Sequence, residues 1–171
     1  LDTSNPVVAV VSCSMEHAVT NCDVNKVPQL CGHTFKEKTS PDLDVYWGTC
    51  GEWYEGNNIS KENFTNFQFK NGFNKGDLII LRGEEPSKLD IGDVIVFDGA
   101  GQEPIIHRII HKEKKNQAYS FATKGDNNVG QIDVEKDIAS ARIVGKALFR
   151  VPILGYVKII FANIINLLRG A

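Results

Sequence analysis

The chain has 171 residues, a formal net charge of −2 and four cysteines, a length at which one domain can bury a core without metals or cross-links. Its charges are mixed along the chain, and a balance this close to neutral offers no basic face for neutralising phosphates, so nucleic acid is excluded as an expected partner. No run of about 20 apolar residues marks a membrane span. With Leu1 standing before a short polar stretch and no initiator methionine, the start reads as one from which an amino-terminal segment has been removed.

The first element is Pro6-Val7-Val8-Ala9-Val10-Val11, a β-branched run that predicts a strand buried on both faces, ending at Ser12-Cys13-Ser14-Met15. From Glu16 to about Asn74 no period persists. Polar turns, Cys22, Cys31, Cys50 and the aromatic pairs Tyr46-Trp47 and Trp53-Tyr54 predict an irregular insertion with short helices. Sequons at Asn58-Ile59-Ser60 and Asn63-Phe64-Thr65 are compatible with an extracytoplasmic face but common by chance.

Regular signals resume at Lys75–Leu81 and Ile91–Phe97, two apolar runs opened by Gly-Asp turns, whose similarity predicts an antiparallel meander. Further strands are expected over Ile105–His111, Ser120–Lys124 and Arg142–Phe149, making the second half all-β. From Ile153 to Leu168, apolar residues at helical spacing with Lys158, Asn166 and Arg169 opposite predict an amphipathic helix, packed on the sheet or lying in a membrane interface.

A serine just after a buried strand is a reasonable nucleophile, although most such serines form turns. Its hydroxyl needs a base within hydrogen-bond reach and a third group to orient that base. Among four histidines, His107 stands out inside the apolar strand Pro104–Ile110, where it is either a satisfied core residue or a base. His111, followed by Lys112, is expected in solvent, while His17 and His33 fall in the insertion. Asp126, in Thr123-Lys124-Gly125-Asp126-Asn127-Asn128, and Asp133 are the available carboxylates, and by local chemistry the first is simply a turn. The residue types alone decide nothing.

The order of these blocks changes that. Ser12-Cys13-Ser14-Met15-Glu16, Lys75-Gly76-Asp77-Leu78-Ile79, Ile91–Phe97, Pro104-Ile105-Ile106-His107-Arg108, Thr123–Asn128, Val144-Gly145-Lys146-Ala147 and Val151–Gly155 together resemble the type I signal peptidases. His107 in the base position resembles the archaeal and endoplasmic-reticulum branch, because the bacterial branch uses lysine there. The resemblance implies one catalytic domain over 1–171, with an insertion at about 16–74 and the carboxyl-terminal helix at about 153–168. It implies a mainly β fold, a coiled antiparallel sheet or sandwich of the signal peptidase type. Ser14 would be the nucleophile, His107 the general base and Asp133, with Asp126 as the alternative, the orienting carboxylate. Ser12 and the Ser14 N–H would form the oxyanion hole.

The same resemblance implies a membrane-associated serine endopeptidase, without cofactor or metal, that cuts preprotein signal peptides after a small residue on the extracytoplasmic or lumenal face. Membrane lipid and accessory subunits would be its partners, and an amino-terminal span would precede Leu1. Two positions depart from the pattern: Cys13, expected as a reactive thiol where a small residue is usual, and His17, where proline is common. The insertion cysteines leave three states open: a disulfide among Cys22, Cys31 and Cys50, a zinc site with His33, or free thiols. Competing readings are a self-cleaving serine peptidase with a lysine base and a β-rich binding module in which Ser14 and His107 are incidental.

Overall fold

The computed structural model describes residues 3, 5–22, 27–99, 101, 104–116 and 118–152. The helix expected over Ile153–Leu168 lies outside them.

Nine strands form among the described residues: β1 (Val7–Ala9), β2 (Gln29–Leu30), β3 (His33–Thr34), β4 (Leu78–Arg82), β5 (Val94–Phe97), β6 (Ile105–Lys115), β7 (Ala118–Lys124), β8 (Ile138–Ala139) and β9 (Ile143–Val151). Seven make one antiparallel sheet in the order β1-β4-β9-β5-β6-β7-β8, and β2-β3 is a separate hairpin. The fold is mainly β, as the sequence predicts.

β5 explains why its sequence is apolar throughout. All four residues are buried, Val94 and Val96 in one core with Ile79, Leu81 and Phe73, and Ile95 and Phe97 in another with Ile109, Phe121 and Ile138. A strand covered on both faces loses the alternation that a half-exposed strand shows. The meander expected from the two Gly-Asp units does not form, because β9 returns to lie between β4 and β5 and takes hydrogen bonds from both. β1 is likewise not buried on both faces. It is three residues long, lies at the sheet edge, and exposes Val7 and Ala9.

Residues 16–74 carry the helices α1 (Leu43–Glu55), capped by Asp42 accepting from the Val45 N–H, and α2 (Lys61–Thr65), capped by Ser60. Tyr46, Trp47, Cys50 and Tyr54 of α1 and Phe64 of α2 bury their side chains together against Ile110 of β6 and Ala122 of β7. Each large side chain so buried contributes roughly 1.5–3 kcal/mol, which fixes α1 against the end of the sheet where β6 and β7 deliver their functional residues. Among the described residues no helix is long and apolar enough to cross a membrane.

Candidate active site

β1 leads through Val10 and Val11 into a turn that exposes Ser12 and half-buries Ser14. The two hydroxyls stand 3.1 Å apart. In β6, His107 pairs with Ile95 of β5 and is buried, with Nε2 placed 2.9 Å from Ser14 Oγ. The sequence-predicted Ser14, His107 and Ser12 thus converge from segments about ninety residues apart.

Neither aspartate faces His107. Asp133 projects into solvent with its side chain 96% exposed and pairs with Lys136 at 2.7 Å, an interaction that lowers its pKa. The carboxylate on His107 Nδ1 is Glu135, fully buried, bonded through Oε1. Thr123 Oγ1 also donates to Oε1 at 3.3 Å, and Oε2 accepts the Ile132 N–H at 2.9 Å. Asp133–Glu135 is a single 3₁₀ turn, in which residues two apart are rotated by about 240°, so one faces inward when the other faces out. The sequence reading missed Glu135. The only signal for it was a glutamate set among Ile132, Val134 and Ile138.

Asp126 holds the frame instead. Arg108, next to His107 in β6 and so directed to the opposite side of the strand, is fully buried and donates Nε to Asp126 Oδ1 at 2.9 Å and Nη2 to Oδ2 at 2.7 Å. Its remaining N–H groups go to the carbonyls of Gln68, Gly92 and Phe69, each at 2.8 Å, so all five guanidinium donors are used. Asp126 also accepts from Tyr54 OH at 2.8 Å and His17 Nε2 at 2.9 Å. Burial alone would raise the Asp126 pKa, but Arg108 and the hydrogen bonds from His17 and Arg108 outweigh it and hold the carboxyl far below the usual range. His17, stacked on Tyr46 with ring centroids 3.7 Å apart, has its pKa lowered by burial against the pull of Asp126.

Close packing completes the site. A Cβ on Gly125 would stand 2.6 Å from His107 Nε2 and 2.9 Å from Ser14 O, so only glycine lets this turn approach the pair. Asn127 N–H donates to Ser14 O at 2.7 Å. The cysteines are bonded as Cys13–Cys22 and Cys31–Cys50. Cys13 is therefore not the reactive thiol expected beside Ser14, and the zinc set is dissolved, since its three cysteines are all cross-linked and His33 is left exposed on β3. His111 lies in solvent as expected.

With Nδ1–H donated to Glu135, His107 Nε2 presents a lone pair to the Ser14 hydroxyl, the arrangement that makes a serine nucleophilic. No family model matches the chain. It is 32% identical over 100 residues to the signal peptidase complex catalytic subunit sec11 of Neurospora crassa, covering 53% of this chain and 57% of the relative. It is 33% identical over 99 residues to subunit SEC11 of Pyricularia oryzae, with shares of 53% and 57%. To subunit SEC11C of Homo sapiens it is 36% identical over 95 residues, with shares of 52% and 50%. The chain spans about half the length of the curated relatives it matches, and over that half it is homologous to proteins named signal peptidase complex catalytic subunits.

Proposed function

We propose that the chain is a serine endopeptidase of the archaeal and endoplasmic-reticulum signal peptidase type, which removes signal peptides from secretory preproteins. The observation that carries this is the contact chain Ser14 Oγ, His107 Nε2, His107 Nδ1 and Glu135 Oε1 at the end of an edge strand. Ser14 Oγ attacks the scissile carbonyl carbon as His107 Nε2 takes its proton, and the buried Glu135 carboxylate stabilises the imidazolium. The tetrahedral oxyanion is held by the Ser12 hydroxyl and the Ser14 N–H. Collapse breaks the C–N bond, His107 returns the proton to the leaving amine, and water then resolves the acyl-enzyme by the same steps.

Among the described residues β1 has a neighbour on one side only, so an extended peptide can add along its other edge and reach Ser14. The relatives' name supports substrates that are signal peptides and a place within a complex, hence accessory subunits; the catalytic face is read as lumenal or extracytoplasmic at a membrane. The two disulfides favour such an oxidising compartment. The domain reading is one catalytic unit with residues 16–74 inserted in it.

The test is cleavage of a synthetic preprotein peptide with an Ala-x-Ala site, in detergent. Cleavage after the second alanine by the wild type and none by Ser14→Ala is expected. Equal cleavage by both would remove Ser14 as nucleophile.

A further inference from the structure

Residues 16–74 reach the turn that carries Asp126 and Asn127 through both side chains, and the Asn127 amide is the one that bridges them to the nucleophile segment, engaged at both its oxygen and its nitrogen. Its Oδ1 accepts the Cys31 N–H at 2.8 Å and its Nδ2 donates to Cys13 O at 3.2 Å. Its backbone N–H holds Ser14 O at 2.7 Å. Cys31 is itself fixed: it sits with φ 50° beside Gly32 at φ 83° in the two-residue turn between β2 and β3, and is bonded to Cys50 in α1. A rigid helix is thus linked through Cys50, Cys31 and Asn127 to the peptide that precedes the nucleophile.

That peptide matters because a trans peptide unit is planar, so the C=O of Cys13 and the N–H of Ser14 point in opposite directions. Two donors, Asn127 Nδ2 and the Glu16 N–H at 3.0 Å, hold Cys13 O and thereby aim the Ser14 N–H the other way. No acceptor among the described residues takes that N–H.

We propose that Asn127 is a positioning residue that sets the oxyanion donor: by holding Cys13 O, and being held by the disulfide-bonded hairpin, it orients the Ser14 N–H toward the tetrahedral intermediate. This rests on the reading of Ser14 as nucleophile. It gives residues 16–74, which the resemblance to signal peptidases leaves without a role, a part in the reaction.

Asn127→Asp is the test, because it keeps the backbone N–H and the acceptor for Cys31 while placing an oxygen against Cys13 O. In the whole chain, kcat for the Ala-x-Ala peptide should fall by about 10²–10³, the loss seen when one oxyanion donor is removed, with KM nearly unchanged. Affinity for a peptide boronate, which forms a tetrahedral adduct on the serine, should fall with kcat. Unaltered kcat, or a loss that follows melting temperature while boronate affinity stays constant, would overturn the proposal. Amide exchange of residues 12–16, followed by mass spectrometry, reads the clip without activity: faster exchange in Asn127→Asp is expected. Unchanged exchange overturns it even in a preparation whose wild type cleaves nothing, an outcome that would count separately against the peptidase reading.

Discussion

Glu135 meets His107 through one carboxylate oxygen and closes its own turn through the other, which takes the Ile132 N–H at 2.9 Å. The carboxylate is therefore locked before substrate arrives. Glu135→Gln leaves the shape but presents the wrong donor pattern to the imidazole, and a change of this kind costs about 10⁴ in kcat in a serine triad. Asp133→Asn should leave kcat within about twofold, since Asp133 only pairs with Lys136 in solvent. Peptide hydrolysis by the two variants checks both; the reverse ranking would restore Asp133.

Asp126 is expected to act on stability. Removing one partner of a buried ion pair leaves the other uncompensated, which costs about 3–5 kcal/mol, so Asp126→Asn should unfold at markedly lower urea. The sign with pH follows from its depressed folded pKa: the stabilisation is present above the ordinary aspartate range near 4 and is lost as pH falls through and below it. Urea midpoints from pH 7 down to pH 3 should fall steeply for the wild type and less for Asp126→Asn.

Lys124 predicts a slope of the same sign at the alkaline end. Burial pushes its ammonium down to about 8, against the attraction of Asp126 and Glu135. Between that value and the unfolded value near 10.5 the unfolded chain binds the extra proton, so stability rises with pH there, by on the order of 3 kcal/mol over the whole window. Urea midpoints between pH 7.5 and 9.5 should climb in the wild type and stay flatter in Lys124→Met. The window stops short of pH 10, where the raised pKa values of Tyr46 and Tyr54, both caused first by burial, begin to act in the other direction.

Both disulfides lie against the site, so reduction should do more than soften the fold. Losing a native disulfide costs about 2–5 kcal/mol in small secreted domains. Dithiothreitol should lower the melting temperature and abolish hydrolysis together, and thiol titration of the denatured protein should find four thiols after reduction and none before. Free thiols in the unreduced protein would contradict the pairing.

The strands were legible as β-branched runs, of which Val94–Phe97 is covered on both faces while Val7–Ala9 is left half-exposed at the sheet edge. The order of the sheet was not, since nothing in two similar Gly-Asp runs announces that Ile143–Val151 will come between them. Ser14, Ser12 and His107 were readable from their flanking blocks. Glu135 was hidden because a 3₁₀ turn decides which of two nearby acids points inward, and that depends on tertiary packing. The pairing of Cys13 with Cys22 was closed to sequence reasoning, since four cysteines admit three pairings.

Gly125→Ala would insert a methyl 2.6 Å from His107 Nε2 and 2.9 Å from Ser14 O, separating base from nucleophile. Its kcat should fall by at least about 10², the cost of a 1 Å misplacement. Wild-type turnover in this variant would mean that the turn is free to move away.

The central claim is that His107 activates Ser14. It is tested most directly by reacting the protein with a peptidyl fluorophosphonate and locating the adduct by mass spectrometry. A single adduct on Ser14, absent in Ser14→Ala and formed far more slowly in His107→Ala, is the expected result. Labelling at another residue, or labelling of Ser14 at the same rate without His107, would contradict it.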